Sequence, residues 1–154
     1  MGMSRVKLGA CFQIPLRGNR YACCQYVASD EKYGDLVRVF RKICDEPITS
    51  PSDVAGSGEA FPPVFVGLRA TIKSGRWQRI GNLRVDNFKF PEFRSSFGTL
   101  PGVYTDWWIR DRDQSRFVGP LPPELRKLEL DQVWGDELLE ERIATGVNPF
   151  EGIQ

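Results

Sequence analysis

A two-residue Gly18-Asn19 step, set between Arg17 and Arg20, constrains this chain more than any other feature. It joins two runs rich in strand formers, Ala10–Leu16 and Arg20–Ala28. Tight primed turns need positive φ, which Gly and Asn tolerate, so the pattern predicts a β-hairpin. A third run, Asp35–Phe40, extends it to a meander of three strands. Pro15 has no N–H to give; its strand is expected at a sheet edge, or with Pro15 turned outward.

The rest of the chain reads in shorter pieces. Pro, Ser and Gly crowd residues Asp45–Gly58, which read as a loop. There Gly56-Ser-Gly58 starts like a dinucleotide fingerprint, but Phe61 stands where the third glycine belongs and no strand closely precedes it. Val64, Val66, Leu68, Ala70 and Ile72 alternate with Phe65, Gly67, Arg69 and Thr71, predicting a strand with one apolar face. Ser74-Gly75 reads as the turn into a partner strand, Arg76–Ile80. Short strands are expected at Val103–Arg110 and Arg116–Val118; in the first, Trp107 and Trp108 face opposite ways, so one of them is only partly buried.

Only the end reads as helix. Gly135-Asp136 opens it, acids sit at the positive end of its dipole, Gly146 stops it and Pro149 follows. A second short helix fits around Glu124–Lys127. At 154 residues, these elements predict a single α+β, mainly β domain over 1–154: an antiparallel, barrel-like (SH3-like) sheet of about six or seven strands with a C-terminal helix. Its β-rich body spans about 5–118 and its acidic helical segment about 121–154.

Histidine is absent, which removes the commonest general base, the Ser-His and Cys-His pairs, and every zinc site that uses imidazole. Cys11, Cys23, Cys24 and Cys44 lack the spacing of a zinc ribbon or redox motif and are expected as reduced, mostly buried thiols. Ser4-Arg-Val-Lys7 matches Ser-x-x-Lys outside any helical context. Asp111 and Asp113, flanking Arg112, read as solvated turn charges rather than a cation site or acid pair. No catalytic residue, cofactor site or metal site is expected. The rival to a binding protein is a small hydrolase using isolated carboxylates. A third class, a barrel stacking single-stranded nucleic acid on Trp77, Trp107 and Trp108 beside Arg76, Arg79, Arg110 and Arg112, sits poorly with a net charge of +1. No run is long and apolar enough to span a membrane or export the chain, so a soluble, cytoplasmic protein is expected.

Several stretches together carry a resemblance: Gly9-Ala-Cys-Phe-Gln-Ile-Pro-Leu16, then Gly18 to Tyr21, then Pro63–Leu68, then Gly75-Arg-Trp-Gln-Arg-Ile-Gly81. Over roughly residues 5–110 the chain resembles the immunity protein 26 family of bacterial polymorphic toxin systems. Cys24 departs from the family pattern, standing where a glycine usually follows the tyrosine. The resemblance implies a small cytoplasmic α+β protein that binds a cognate toxin domain and blocks it. It carries over no contact residues, because the shared motifs are turns and core positions.

Charge suggests where contact is made. Residues 1–120 carry 18 basic and 12 acidic groups, whereas residues 121–154 carry 3 and 8. A toxin that acts on nucleic acid has a basic site, and a blocker should offer it acids. On a helix starting at Asp136, Glu137, Glu140 and Glu141 are expected to be exposed together while Leu138, Leu139 and Ile143 face the sheet. Trp134, just before the helix, is the expected aromatic anchor.

Overall fold

The computed structural model describes residues 6–86, 88–96 and 105–150. The chain divides into two compact units, one of residues 1–88 and 133–146, the other of residues 89–132 and 147–154.

The first unit is built on the hairpin. β1 (Ala10–Leu16) and β2 (Arg20–Asp30) pair antiparallel from Cys11↔Gln25 to Leu16↔Arg20. Gly18 and Asn19 sit at the expected positive φ, +78° and +56°, but with Leu16 opposite Arg20 the loop holds three residues, Arg17, Gly18 and Asn19, one more than the two-residue turn expected. β3 (Gly34–Val39) adds to β2, and β4 (Val64–Val66) to β3. β2 is buried from Ala22 to Ala28 on both faces, as a central strand should be. Gly9, leading into β1, donates to Tyr26 O and accepts from Leu83 N–H, with φ +94°; a Cβ there would meet Leu83 O at 2.4 Å, so only glycine fits.

The chain between β3 and β4 is not all loop, for Ser52–Ala55 forms a single helical turn, α1. It brings Ile48 and Val54 onto Cys11, Cys23 and Phe40, a cluster tied down by the Ile48 N–H donating to Gln13 Oε1 at 2.6 Å. All four cysteines are free thiols.

Beyond β4 the expected strand is corrected. It stops at Val66, and Leu68–Lys73 forms a helix, α2. The segment satisfies both periods: Leu68 and Ile72, with the buried Thr71 between them, also fall at i, i+4 and i+3, and the pairing of β4 ends at Val66. Ser74-Gly75 therefore closes α2 rather than a hairpin, and the following strand, β5 (Gln78–Asn82), pairs with β1, not β4. Pro15 is accordingly not on an edge strand. It sits past the end of that pairing, which covers only Ala10–Gln13, so its missing N–H costs no ladder bond there.

The second unit holds a four-stranded sheet ordered β8-β7-β6-β9. β6 (Phe93–Ser96) and β9 (Glu129–Leu130) were not foreseen; β7 (Trp107–Arg110) and β8 (Ser115–Gly119) match the expected strands, with Val103 and Tyr104 outside the described residues. Trp107 is buried and Trp108 half-buried, as the alternation requires. The expected second helix is a 3-10 turn, Pro123–Leu125.

The chain then re-enters the first unit as β10 (Val133–Trp134), parallel to β4, and ends that unit with α3 (Asp136–Thr145), closed by Gly146 in the left-handed conformation. The first sheet thus runs β10-β4-β3-β2-β1-β5. The protein is mainly β with a C-terminal helix, but the barrel-like antiparallel expectation is corrected. The described residues form two open sheets, each mixed, because the pairs β4–β10 and β6–β9 are parallel.

Candidate functional site

Charged side chains gather where α3 packs along β1. A groove of about 410 Å³ runs there, lined by Pro15, Leu16 and Arg17 from the hairpin, Arg76, and Glu137, Glu140, Glu141 and Ala144 from α3. Its apolar part comes from Pro15, Leu16 and Ala144, and its rim is charged.

α3 does not present its acids as the sequence suggested. Leu139, Glu140, Arg142 and Ile143 are the buried positions, whereas Leu138 is exposed. Glu140 is only 7% exposed and is saturated with donors. Arg76 donates from Nε to its Oε2 (2.7 Å) and from Nη2 to its Oε1 (2.5 Å), while Trp77 Nε1 donates to Oε2 (2.9 Å). A buried carboxylate without partners would be strongly unfavourable, and the guanidinium fork matches it bidentately. The physical reason for the correction is periodicity. Leu139, Glu140 and Ile143 fall at i, i+1 and i+4, so the face that buries the leucine and isoleucine buries Glu140 with them.

The remaining acids stay outside. Glu137 and Glu141 are one turn apart, with side chains 81% and 52% exposed. Arg76 lies 3.9 Å from both Asp136 and Glu137, within reach of charge but too far for a hydrogen bond. Its guanidinium is held above its ordinary pKa, first by the hydrogen bonds to Glu140 and then by the carboxylates around it. Arg17 pairs with Glu141 at 3.3 Å across solvent.

Trp134 is not on the surface either. It is 3% exposed, paired in the sheet with Val66, and covered by the Arg142 guanidinium at 5.1 Å. Arg142 also lies 3.9 Å over the Phe61 ring. Of the five residues singled out, Trp134 and Glu140 therefore form the buried footing, and Asp136, Glu137 and Glu141 the accessible part. Sequence reading placed Arg76 on a nucleic-acid surface, missing its pairing with Glu140, and did not single out Arg142. The signal for Arg76 was a carboxylate between two buried aliphatic positions, which obliges a cation elsewhere in the chain.

The surface considered for nucleic acid does not assemble, since Trp77 and Trp107 are each only 1% exposed. Asp111 is likewise spent locally. Its Oδ1 accepts the backbone N–H of Asp113 and Gln114, both at 2.8 Å, which makes it the anchor of the β7–β8 turn. Among the described residues no group of three or more Cys, Asp or Glu is placed to hold a metal ion, and no helix is long and apolar enough to cross a membrane.

A family model described as immunity protein 26 matches residues 7–98, well over half of the chain. No curated protein and no solved structure matches.

Proposed function

The chain belongs to the immunity protein 26 family, and from that premise we propose that it is a non-catalytic cytoplasmic protein that neutralises a cognate bacterial toxin domain by direct contact. The observation that carries this reading is the family match over residues 7–98. The candidate site supports it, since its buried charges are committed to holding α3 in place.

The contact face we assign is the outer side of α3, where Asp136, Glu137 and Glu141 project, with Trp134 and Glu140 buried beneath as its footing. Acids there would meet a basic toxin surface, and the side chains would set the encounter rate more than the final affinity. The rim of the groove, with Arg17, lies beside them.

Co-expression tests the reading. A toxin domain, sought in the reading frame beside this gene, should kill cells alone and spare them when this chain is present. With the purified pair, Glu137→Lys with Glu141→Lys should slow association at least several-fold and flatten its salt dependence. Unchanged association moves the interface to the sheets or loops. Absence of rescue, together with turnover of a substrate by the purified protein, replaces the binding reading with the hydrolase one.

A further inference from the structure

We propose that Arg76 and Trp77 form a carboxylate-recognition seat, that Glu140 of α3 fills it in cis, and that a small free carboxylate takes the seat when Glu140 is removed. Three donors converge on one group: two parallel N–H bonds of the guanidinium and one from an indole ring that is itself buried. Such a fork with a third fixed donor is specific for a planar two-oxygen anion.

The backbone that carries the donors is held by its own neighbourhood, not by α3. Trp77 N–H bonds to Thr71 O, Gly75 N–H to Ile72 O, and Arg76 N–H to Ser74 Oγ, so the seat is built within residues 71–77. Its occupant comes from more than 60 residues away in sequence. The relation between seat and Glu140 is that of a receptor and a tethered ligand. The seat also borders the open groove, because Arg76 and Glu140 both line it, and a solute has a way in.

The seat has a consequence for α3. With Glu140 drawn inward, Glu137 and Glu141, three residues before it and one after, are turned to the outside. In that respect Glu140 is a positioning residue for the contact face, and this clause alone rests on the proposed toxin contact.

The test uses the full chain. Glu140→Ala is made in an Asp136→Asn, Glu137→Gln background, so that neither of the two acids of the same helix that lie 3.9 Å from Arg76 can fill the seat. This variant should melt roughly 5–10 °C lower than the parent. Replacing chloride by acetate at equal ionic strength and neutral pH should restore part of that loss. It should also shift the Trp77 indole N–H resonance, assigned with Trp77→Phe, saturably back toward its native position. Adding Arg76→Lys should abolish the saturable shift. Acetate acting no more strongly on this variant than on the parent overturns the proposal. If Glu140→Ala does not fold, Glu140→Gln with Arg76→Gln completes a double-mutant cycle, in which additive losses overturn the seat and a clear coupling supports it. None of these readouts involves a toxin, so the seat and the contact reading fail independently.

Discussion

The two units solve the same problem, burying a sheet, with different materials. In the first, the core is largely aliphatic, aromatic and thiol: Phe12, Ile14, Leu36, Val37, Phe65 and Leu68 are all at most 1% exposed, and the buried charges Glu140 and Arg142 come from α3. The second has strands of two to five residues and a small apolar cluster of Trp107, Ile109 and Leu121. It relies more heavily on arginines over rings, with three in a smaller unit: Arg94 over Trp107 at 5.0 Å, Arg110 over Phe93 at 5.6 Å and Arg112 over Phe90 at 5.5 Å. Arg94 is 4% exposed, its Nε donating to Leu128 O, and burial lowers its pKa while Glu129 opposes the shift. A short sheet lacks enough apolar face, so a guanidinium serves as both spacer and donor.

That contrast can be broken by cutting into each core. Trp107→Ala should cost about 3–5 kcal/mol and remove amide protection from residues 89–132, while β1–β3 remain protected in hydrogen exchange. Simultaneous loss in both units would show a single cooperative domain, the organisation expected from length alone. Next in size is the ion pair of Arg110, which donates to Asp131 through Nε (2.7 Å) and Nη2 (2.9 Å), with the Asp131 side chain only 5% exposed. Arg110→Ala should cost about 3 kcal/mol in urea unfolding, because a buried carboxylate is left behind. Arg17→Ala, which breaks the exposed pair with Glu141, should cost less than about 1 kcal/mol. Equal costs would remove the distinction between buried and rim charges.

Thiol chemistry sharpens the picture of the first core. Burial pushes the Cys24 thiol pKa up, and the Cys11 hydrogen bond, followed by burial, pushes Cys23 up. Alkylation at mildly alkaline pH should therefore modify half-buried Cys44 first and spare Cys23 and Cys24 until unfolding, as read by peptide mass mapping. The smallest effect belongs to Asp111, whose carboxylate pKa is lowered by the N–H groups of Gln114 and Asp113. A lowered folded pKa gives stability present above the unfolded carboxylate value and lost as pH falls through the folded one. Asp111→Asn should thus be slightly less stable than the parent at neutral pH and equal to it in acid, measured by thermal melts across pH.

Legibility in the sequence followed the range of the interactions. The Gly18-Asn19 hairpin, β7, β8 and α3 with its Gly146 stop were readable, because local turn chemistry and period decide them. The β9 and β10 strands are two residues each and pair parallel with distant segments, so they carry no period to read. The α2 helix hid behind an alternation that fits two periods, and the sequence does not show that the pairing of β4 ends at Val66. At the candidate site, acids on α3 were readable, but which of them turns inward depended on Arg76, 64 residues earlier. Sequence spacing cannot show that pairing.

The parallel bond between β4 and β10 also sets an order of events during synthesis. Phe65 pairs with Val133, so the outer edge of β4 has no strand beside it until the last part of the first unit has been translated. At about 5–20 residues per second, that interval is on the order of 3–14 s, against microseconds for closing the hairpin. For those seconds a nascent chain displays Val64-Phe65-Val66 with one bare edge, a template for pairing with a neighbour on the same message. A chain cut short before Val133 keeps that edge for good. Such products should be found in aggregates or degraded, and the ribosome's pace through residues 67–132 becomes part of the yield of folded protein.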